Sequence, residues 1–137
     1  MSTVMIDGIE VKVSDIIKET LQTLLEYTDV LSGLSAQTGD LLDDPLFAIN
    51  FDKLIEGIET FNEGIQNVKR ATRSGLLQPV CILEAELLSI LKDLLLCQET
   101  KNLNYLRELL QAHLPEHLEH WHEEGLPALA GQLESQD

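Results

Sequence analysis

The chain has 137 residues, of which 44% are hydrophobic, and its 24 acidic and 9 basic residues give a formal net charge of −15. This length suits one domain with a real core, and the hydrophobic fraction argues against global disorder. This negative charge excludes nucleic acids and anionic membranes as partners, because proteins bind both of them chiefly through Lys and Arg side chains. A basic or apolar protein partner remains compatible with the charge.

The sequence predicts a soluble cytoplasmic protein. The N-terminus has no apolar segment after a basic one, as an export signal would, and charged residues interrupt the most apolar stretch before it could span a membrane. Cys81 and Cys97 do not form a CxxC pair, so we expect buried, reduced cysteines that act as small hydrophobic residues.

Residues 1–13 predict a small β-hairpin. Asp7-Gly8 suits a type I′ turn, and residues 9–13 alternate between apolar and polar side chains. Because an isolated hairpin is marginally stable in water, it must lie on the helices or pair with another chain. The hairpin is therefore one candidate contact for a homodimer.

Apolar residues at steps of three and four predict helices at 14–36, 45–72, 77–98 and 102–124, followed by an acidic tail at 126–137. Ser14, Asp44 and Asn102 are the predicted N-caps, with Asn50 as an alternative later cap of the second helix. Ser74-Gly75 should end the second helix, and Pro79 fits the first turn of the third. The apolar heptad positions of the second helix are Phe51, Leu54, Ile58, Phe61, Ile65 and Val68. Four helices with short connections predict an all-α fold, an antiparallel up-down four-helix bundle with a small N-terminal β-hairpin, in a single domain.

Proline and glycine mark the end of the fourth helix. Pro115 falls within its apolar pattern and should kink the helix or divide it in two. Gly125 and Pro127 should stop it.

The most apolar segment is residues 76–97, which we expect to be the central helix. One stripe on this helix runs from Val80 to Cys97, and a second, formed by Leu77, Leu88, Leu91 and Leu95, lies beside it. Two adjacent stripes imply two neighbouring helices. Glu84 and Glu86 are the carboxylates whose setting suggests burial, although a different rotation of the helix would equally expose them.

Gly57 and Gly64 occupy one heptad position of the second helix, within the repeat Glu-Gly-Ile. Glycine costs a helix about 1 kcal/mol relative to alanine, so two of them mark a smooth strip where another helix can approach closely. That helix can belong to this chain or to a partner; internal packing is the simpler interpretation.

All four histidines lie between residues 113 and 122. His113, His117 and His120 align along one side of a helix, where imidazoles can share a zinc, nickel or copper ion, and Glu116 can add an oxygen. The competing interpretation is that they are ordinary histidines at the border of a buried face.

Residues 101–121, KNLNYLRELLQAHLPEHLEHW, resemble the closing segment of small uncharacterised all-helical bacterial proteins, chiefly from Firmicutes. In that group a Leu-rich helix runs through a proline into a tryptophan, here from Leu106 through Pro115 to Trp121. The resemblance implies an all-α bundle and no particular function. In size, acidity and helical character the chain is also similar to flagellar and type III secretion chaperones.

No strand–helix alternation, phosphate-binding loop or nucleophile motif is present. We therefore predict a non-enzymatic helical interaction module, adaptor or chaperone-like, without a cofactor, which binds a protein partner through Gly57, Gly64, Leu118 and Trp121. The alternatives are a metal-binding bundle that uses His113, His117 and His120, and a structural homodimer joined through the hairpin.

Overall fold

A computed structural model describes the backbone of residues 3–6, 9–72 and 77–136. The order of elements is β1 (Thr3–Ile6), β2 (Ile9–Lys12), α1 (Val13–Asp40), α2 (Phe47–Thr72), α3 (Gln78–Thr100) and a last helical stretch at residues 103–136, here called α4. Helix dominates the described residues, as the sequence predicts. None of these helices is both long enough and apolar enough to cross a membrane.

Strands β1 and β2 pair in antiparallel fashion, with Thr3 opposite Lys12 and Ile6 opposite Ile9. Residues 7 and 8, where the sequence predicts a type I′ turn, lie outside the described residues. Strand β2 leads directly into α1, whose N-cap position is Lys12. That the hairpin rests on the helices or pairs with another chain stays a prediction.

Helix α1 is longer at both ends than its sequence pattern indicates. It begins at Val13, so the N-cap is Lys12 and not Ser14, and it continues to Asp40. The extension is possible because polar side chains near its end are satisfied by backbone carbonyls. Ser35 donates to the Leu110 carbonyl at 2.5 Å, and Thr38 donates to the Leu34 carbonyl at 2.6 Å. Both hydroxyl side chains are thereby buried at no net loss of hydrogen bonding.

Helix α2 begins at Phe47, two residues later than predicted, and ends at Thr72. The carboxylate of Asp44 accepts a hydrogen bond from the Leu46 N–H at 2.8 Å in the turn that leads into it. The predicted heptad positions are confirmed as core positions; all six are buried: Phe51, Leu54, Ile58, Phe61, Ile65 and Val68. Ser74 and Gly75, the predicted end of the helix, lie outside the described residues.

Helix α3 is not the central helix, contrary to the prediction. Its first stripe is buried, from Val80 to Cys97, and Pro79 lies in its first turn as expected. In the second stripe, however, Leu88 and Leu95 are exposed, and Leu77 and Leu91 are only partly buried. A helix that buries only one stripe has neighbours on one side only, so α3 lies at the edge of the helical assembly. Cys97 is buried and Cys81 partly buried, and both remain thiols.

Helix α4 carries much of the buried core. It packs against α1, α2 and α3, and Asn102 occupies its N-cap position as predicted. Along it the deepest side chains of the fold follow one another, all at most 1% exposed: Leu106, Leu109, Leu110, Leu114, Leu118, Trp121, Leu126 and Leu129. The core is therefore built around α4.

Two π-helical turns, Leu109–His113 and Trp121–Gly125, interrupt the α-helical register of α4. In each, a leucine N–H bonds five residues back, Leu114 to the Leu109 carbonyl and Leu126 to the Trp121 carbonyl. A proline follows each of these leucines. Because proline has no N–H and its ring clashes with the carbonyl four residues earlier, a widened turn before it relieves the conflict.

The predictions for the end of α4 are therefore revised. Pro115 interrupts the α-helical hydrogen bonding but does not end the helix. Gly125 and Pro127 do not stop it either, because the second π-helical turn accommodates Pro127 as the first accommodates Pro115. Residues Leu126–Gln136 are helical, and not the tail that the sequence predicts.

Three pairs of packed helices, α1–α2, α1–α4 and α3–α4, run in opposite directions, so α2 and α4 run in the same direction. Gly57 and Gly64 of α2 lie against Leu31 and Leu24 of α1, in reversed order. Between α1 and α4, Ser35 bonds to Leu110 and Thr28 to His122, again in reversed order. Between α3 and α4, Leu83 lies near Gly125 and Glu86 near His117.

Candidate functional site

The glycine strip of α2 is used inside the fold. A Cβ placed on Gly57 would lie 2.6 Å from Leu31 Cδ2, and one on Gly64 would lie 2.8 Å from Leu24 Cδ2. Both distances are too short for a real contact, so a larger residue at either position would force the leucine side chains of α1 to shift. The close approach that the sequence predicts therefore occurs, but the approaching helix belongs to the chain itself. The prediction that Gly57 and Gly64 contact a partner is corrected accordingly.

Beside this strip lies a mainly apolar groove between α1 and α2. Its volume is about 410 Å³, and Gly64, Leu24, Tyr27 and Val30 line it. Val30 is exposed there. Thus Gly64 reaches solvent only along the edge of the groove.

Leu118 and Trp121, the other predicted partner contacts, are fully buried. The Trp121 ring packs edge-on against Phe61, with ring centroids 5.7 Å apart. No partner can reach either side chain in this fold. Their apolar pattern is that of the core and not of an interface.

The His117 side chain is buried between α3 and α4. Its Nε2 accepts a hydrogen bond from Trp121 Nε1 at 3.0 Å, and its Nδ1 lies 3.4 Å from Glu86 Oε2. An indole N–H can only donate, so Nε2 must be the unprotonated nitrogen and Nδ1 carries the hydrogen that faces Glu86. These contacts hold the imidazole as one neutral tautomer.

Burial lowers the pKa of His117, because the charged imidazolium would lose its hydration. The nearby Glu86 carboxylate opposes this shift in pKa, and His120 adds a smaller lowering of it. Protonation would also break the bond from Trp121. His117 is therefore a neutral, structural histidine.

The three histidines predicted to bind metal line one cavity without forming a metal site. His117 has its Nε2 occupied, and His113 packs its ring edge-on against Tyr105, with centroids 6.3 Å apart. Among the described residues, no group of three or more His, Cys, Asp or Glu side chains is arranged to hold a metal ion.

The cavity that these histidines share, here called the histidine cavity, has a volume of about 290 Å³. Helices α3 and α4 line it, with Glu86, Ser89, Ile90, His113, Glu116, His117 and His120. Of the two carboxylates predicted to be buried, Glu86 is half-exposed at this cavity. Glu84 is nearly buried elsewhere, paired with Lys69 at 2.6 Å.

His122 faces a separate cavity of about 490 Å³ between α1 and α4. Its Nδ1 lies 3.1 Å from the Thr28 hydroxyl, which itself donates to the Leu25 carbonyl at 2.6 Å. Since the hydroxyl hydrogen goes to Leu25, Nδ1 of His122 must be the donor to Thr28. This bond fixes the ring to α1.

The largest feature that the sequence reading missed is an exposed apolar face on α3. Ile82 is 54% exposed, Leu88 55%, Leu95 44% and Leu96 52%. Residues seven apart lie on nearly the same line of a helix, because two turns take about seven residues. Ile82, Ser89 and Leu96 form one such line, Leu88 and Leu95 another, and Ala85 and Lys92 lie between them.

We call this surface the α3 outer face; all its members are exposed: Ile82, Ala85, Leu88, Ser89, Lys92, Leu95 and Leu96. Lys92 is its only charged residue. The sequence does contain a signal for this face, because α3 carries more leucine residues than one buried stripe needs. From the sequence alone these additional leucines predict a second buried stripe, whereas in the structure they form an exposed face.

No family model matches the chain, and no match was found among curated proteins or solved structures. The resemblance of residues 101–121 to small bacterial helical proteins stays a prediction.

Proposed function

We propose that the protein is a non-enzymatic interaction module of the cytoplasm, adaptor or chaperone-like, which binds an amphipathic helix of a partner protein on the α3 outer face. The observation that carries this proposal is the exposure of four large aliphatic side chains on one face of one helix. Soluble proteins rarely expose contiguous apolar surface unless a partner covers it.

The proposed scaffold is an antiparallel up-down four-helix bundle. In support of it, α1 runs opposite to α2 and to α4, α3 runs opposite to α4, and short connections join consecutive helices. In such a bundle each helix needs only one buried stripe. The second apolar stripe of α3 is then available for binding without any rearrangement of the core.

Charge indicates the chemistry of the partner. Glu86 and Asp93 follow one edge of the α3 outer face, seven residues apart, and Glu99 lies near its C-terminal end. A partner helix with an apolar stripe and Lys or Arg beside it would place its charges opposite these carboxylates. A second copy of the chain would instead bring another net charge of −15 to the contact.

Site-specific photo-crosslinking in the native host tests this proposal. A photoreactive phenylalanine analogue in place of Leu88 should yield an adduct with another protein. The same analogue in place of Gln22, an exposed residue of α1, should not. Leu95→Ser should reduce the Leu88 adduct severalfold without unfolding the protein, because Leu95 is exposed and is not part of the core.

An adduct between two copies of this chain would overturn the proposal in favour of a homodimer. So would equal adducts at Leu88 and Gln22, which would indicate nonspecific contact, or no adduct at Leu88 at all.

A further inference from the structure

We propose that the histidine cavity is a binding site for a cationic group that donates several hydrogen bonds, either a guanidinium or a primary ammonium group. This inference goes beyond the proposed function and does not depend on it. It rests on the shape of the cavity, the charge of its lining and the hydrogen bonds already made there.

The lining carries negative charge and no positive side chain. Glu86 comes from α3 and Glu116 from α4, and none of the seven lining residues is Lys or Arg. Arg107 is the last basic residue of the chain, so the rest of α4 supplies no Lys or Arg to compensate them. Among the described residues neither carboxylate forms an ion pair with a Lys or Arg side chain, so a cation entering the cavity would meet two carboxylates available to it.

The polar atoms left open in the cavity are mainly acceptors. His117 already uses both ring nitrogens, Nε2 towards Trp121 and Nδ1 towards Glu86. This leaves the carboxylates of Glu86 and Glu116, the hydroxyl of Ser89 and the ring nitrogens of His113 and His120, among which the carboxylate oxygens are the most numerous acceptors. Guanidinium and ammonium groups carry several donors and no acceptor, which matches this set.

The other residues that line the cavity also suit a planar cation such as guanidinium. His113 and His120 present imidazole rings to the cavity and Ile90 presents an apolar side chain. A guanidinium plane stacks favourably on aromatic rings while its edge bonds to carboxylates. A volume of about 290 Å³ admits the head group of one side chain or one small molecule.

The arrangement of ligands argues for such an extended cation over a metal ion. No group of three or more His, Cys, Asp or Glu among the described residues is close enough to share one ion. A guanidinium group, in contrast, spreads its donors over a wider span and does not require convergent ligands.

The cation can come from two sources. Ser89 belongs both to the cavity and to the α3 outer face, so a basic side chain of a helix bound on that face would lie beside the cavity. A free small guanidine or amine would use the same carboxylates. The chemistry recognised is the same in both cases.

A ligand titration monitored by NMR tests whether the histidine cavity binds a cation. Methylguanidinium and ethylammonium are added in separate experiments, and the ring signals of the four histidines are recorded. We expect saturable shifts for His113, His117 and His120 and none for His122, which lies in the other cavity. Methylurea, a neutral analogue of similar shape, should cause no saturable shift.

Single substitutions show which carboxylates bind the cation. Glu86→Gln and Glu116→Gln should each weaken binding about tenfold, the usual effect of losing one charge-assisted hydrogen bond. Glu99→Gln, which removes the same charge from an exposed part of α3, should leave affinity nearly unchanged. Glu116 is exposed, so its variant is expected to fold normally.

A basic amphipathic peptide distinguishes the two sources. If the partner supplies the cation, the peptide should shift the same three histidines, and the double variant Leu88→Ser/Leu95→Ser should lose the peptide while keeping methylguanidinium. If the peptide leaves the histidines unshifted while methylguanidinium binds, the site takes a free small cation.

The proposal is overturned if methylurea shifts the histidines as strongly as methylguanidinium, or if neither cation produces a saturable shift. Equal affinity in Glu86→Gln, Glu116→Gln and the unaltered protein would also overturn it. Zinc binding that displaces the organic cation and is lost in His113→Gln would replace it with a metal site.

Discussion

At the scale of single residues, each polar side chain of the described interior completes a hydrogen bond. His117 joins Trp121 to Glu86, His122 joins Thr28, and Ser35 bonds to a carbonyl of α4. Within the part of the chain whose side chains are described, no buried side-chain nitrogen or oxygen lacks a hydrogen-bond partner. These bonds fix which helix faces meet, because an unpaired buried polar group would cost about 1–3 kcal/mol.

We expect the stability of the protein to fall as the pH decreases below about 6.5, the ordinary pKa of histidine. Since the native pKa of His117 is lowered by burial, the unfolded state binds a proton before the native state does. Stability is thus greatest above the unfolded pKa and declines as the pH falls through the native one. Urea denaturation across this range measures the effect.

The control separates His117 from the other histidines. His117→Gln cannot titrate but can still accept from Trp121, so its urea midpoint should lose most of this decline. His113→Gln, at an exposed position, should retain it. The same pH dependence in both variants would contradict the role assigned to His117.

At the scale of elements, α4 shows how a helix continues through two prolines. Each π-helical turn adds a residue before a Leu-Pro pair, at Leu114-Pro115 and again at Leu126-Pro127. Gly125 closes the second turn, where its lack of a side chain lets the Trp121 ring pack close to the backbone. The glycine that the sequence suggests as a helix end is therefore a packing residue.

Gly125→Ala should destabilise the fold by about 1–2 kcal/mol, because overpacking in a core outweighs the helix propensity gained. Its Cβ would lie 2.5 Å from Trp121 Cε3 and 2.8 Å from Leu83 Cδ1, both buried side chains. Gly33→Ala is the matched control, since a Cβ there meets nothing within 4 Å. It should stabilise α1 by up to about 1 kcal/mol.

Chemical denaturation of both variants gives the two changes in the free energy of unfolding. Opposite signs are expected. If Gly125→Ala were as stable as Gly33→Ala, the close packing of Trp121 against this turn would not be a constraint.

At the scale of the whole molecule, charge opposes compactness. With 24 acidic and 9 basic residues the folded chain carries a high density of like charge, which destabilises the compact state by self-repulsion. The Lys69–Glu84 pair is largely shielded from solvent, so salt weakens it little.

We therefore expect added NaCl to raise the urea midpoint between about 0.01 and 0.1 M, as the Debye length falls from about 30 to about 10 Å. Lys92→Glu, at an exposed site, should lower stability and enlarge the effect of salt, with Lys92→Gln intermediate between the two. A urea midpoint that falls with salt would show that favourable ion pairs, and not repulsion, dominate the surface.

The sequence by itself determined the helical class, the core register of α2 and the close approach at Gly57 and Gly64. Each depends on spacing along one helix, and the 3.6-residue period reports which residues share a face. It also brought His113, His117 and His120 to one side of α4, which is where the structure has them, at one cavity.

Only the tertiary structure decided which faces are covered. Residues 76–97 and the C-terminal helix both read as apolar, yet α4 is surrounded and α3 keeps Leu88 and Leu95 in solvent. Likewise, spacing cannot show that Trp121 occupies the Nε2 of His117, or that a widened turn lets the chain pass Pro127. The periodicity of a sequence shows which face of a helix is apolar. Which residues pack against that face depends on contacts between residues that are distant in the chain.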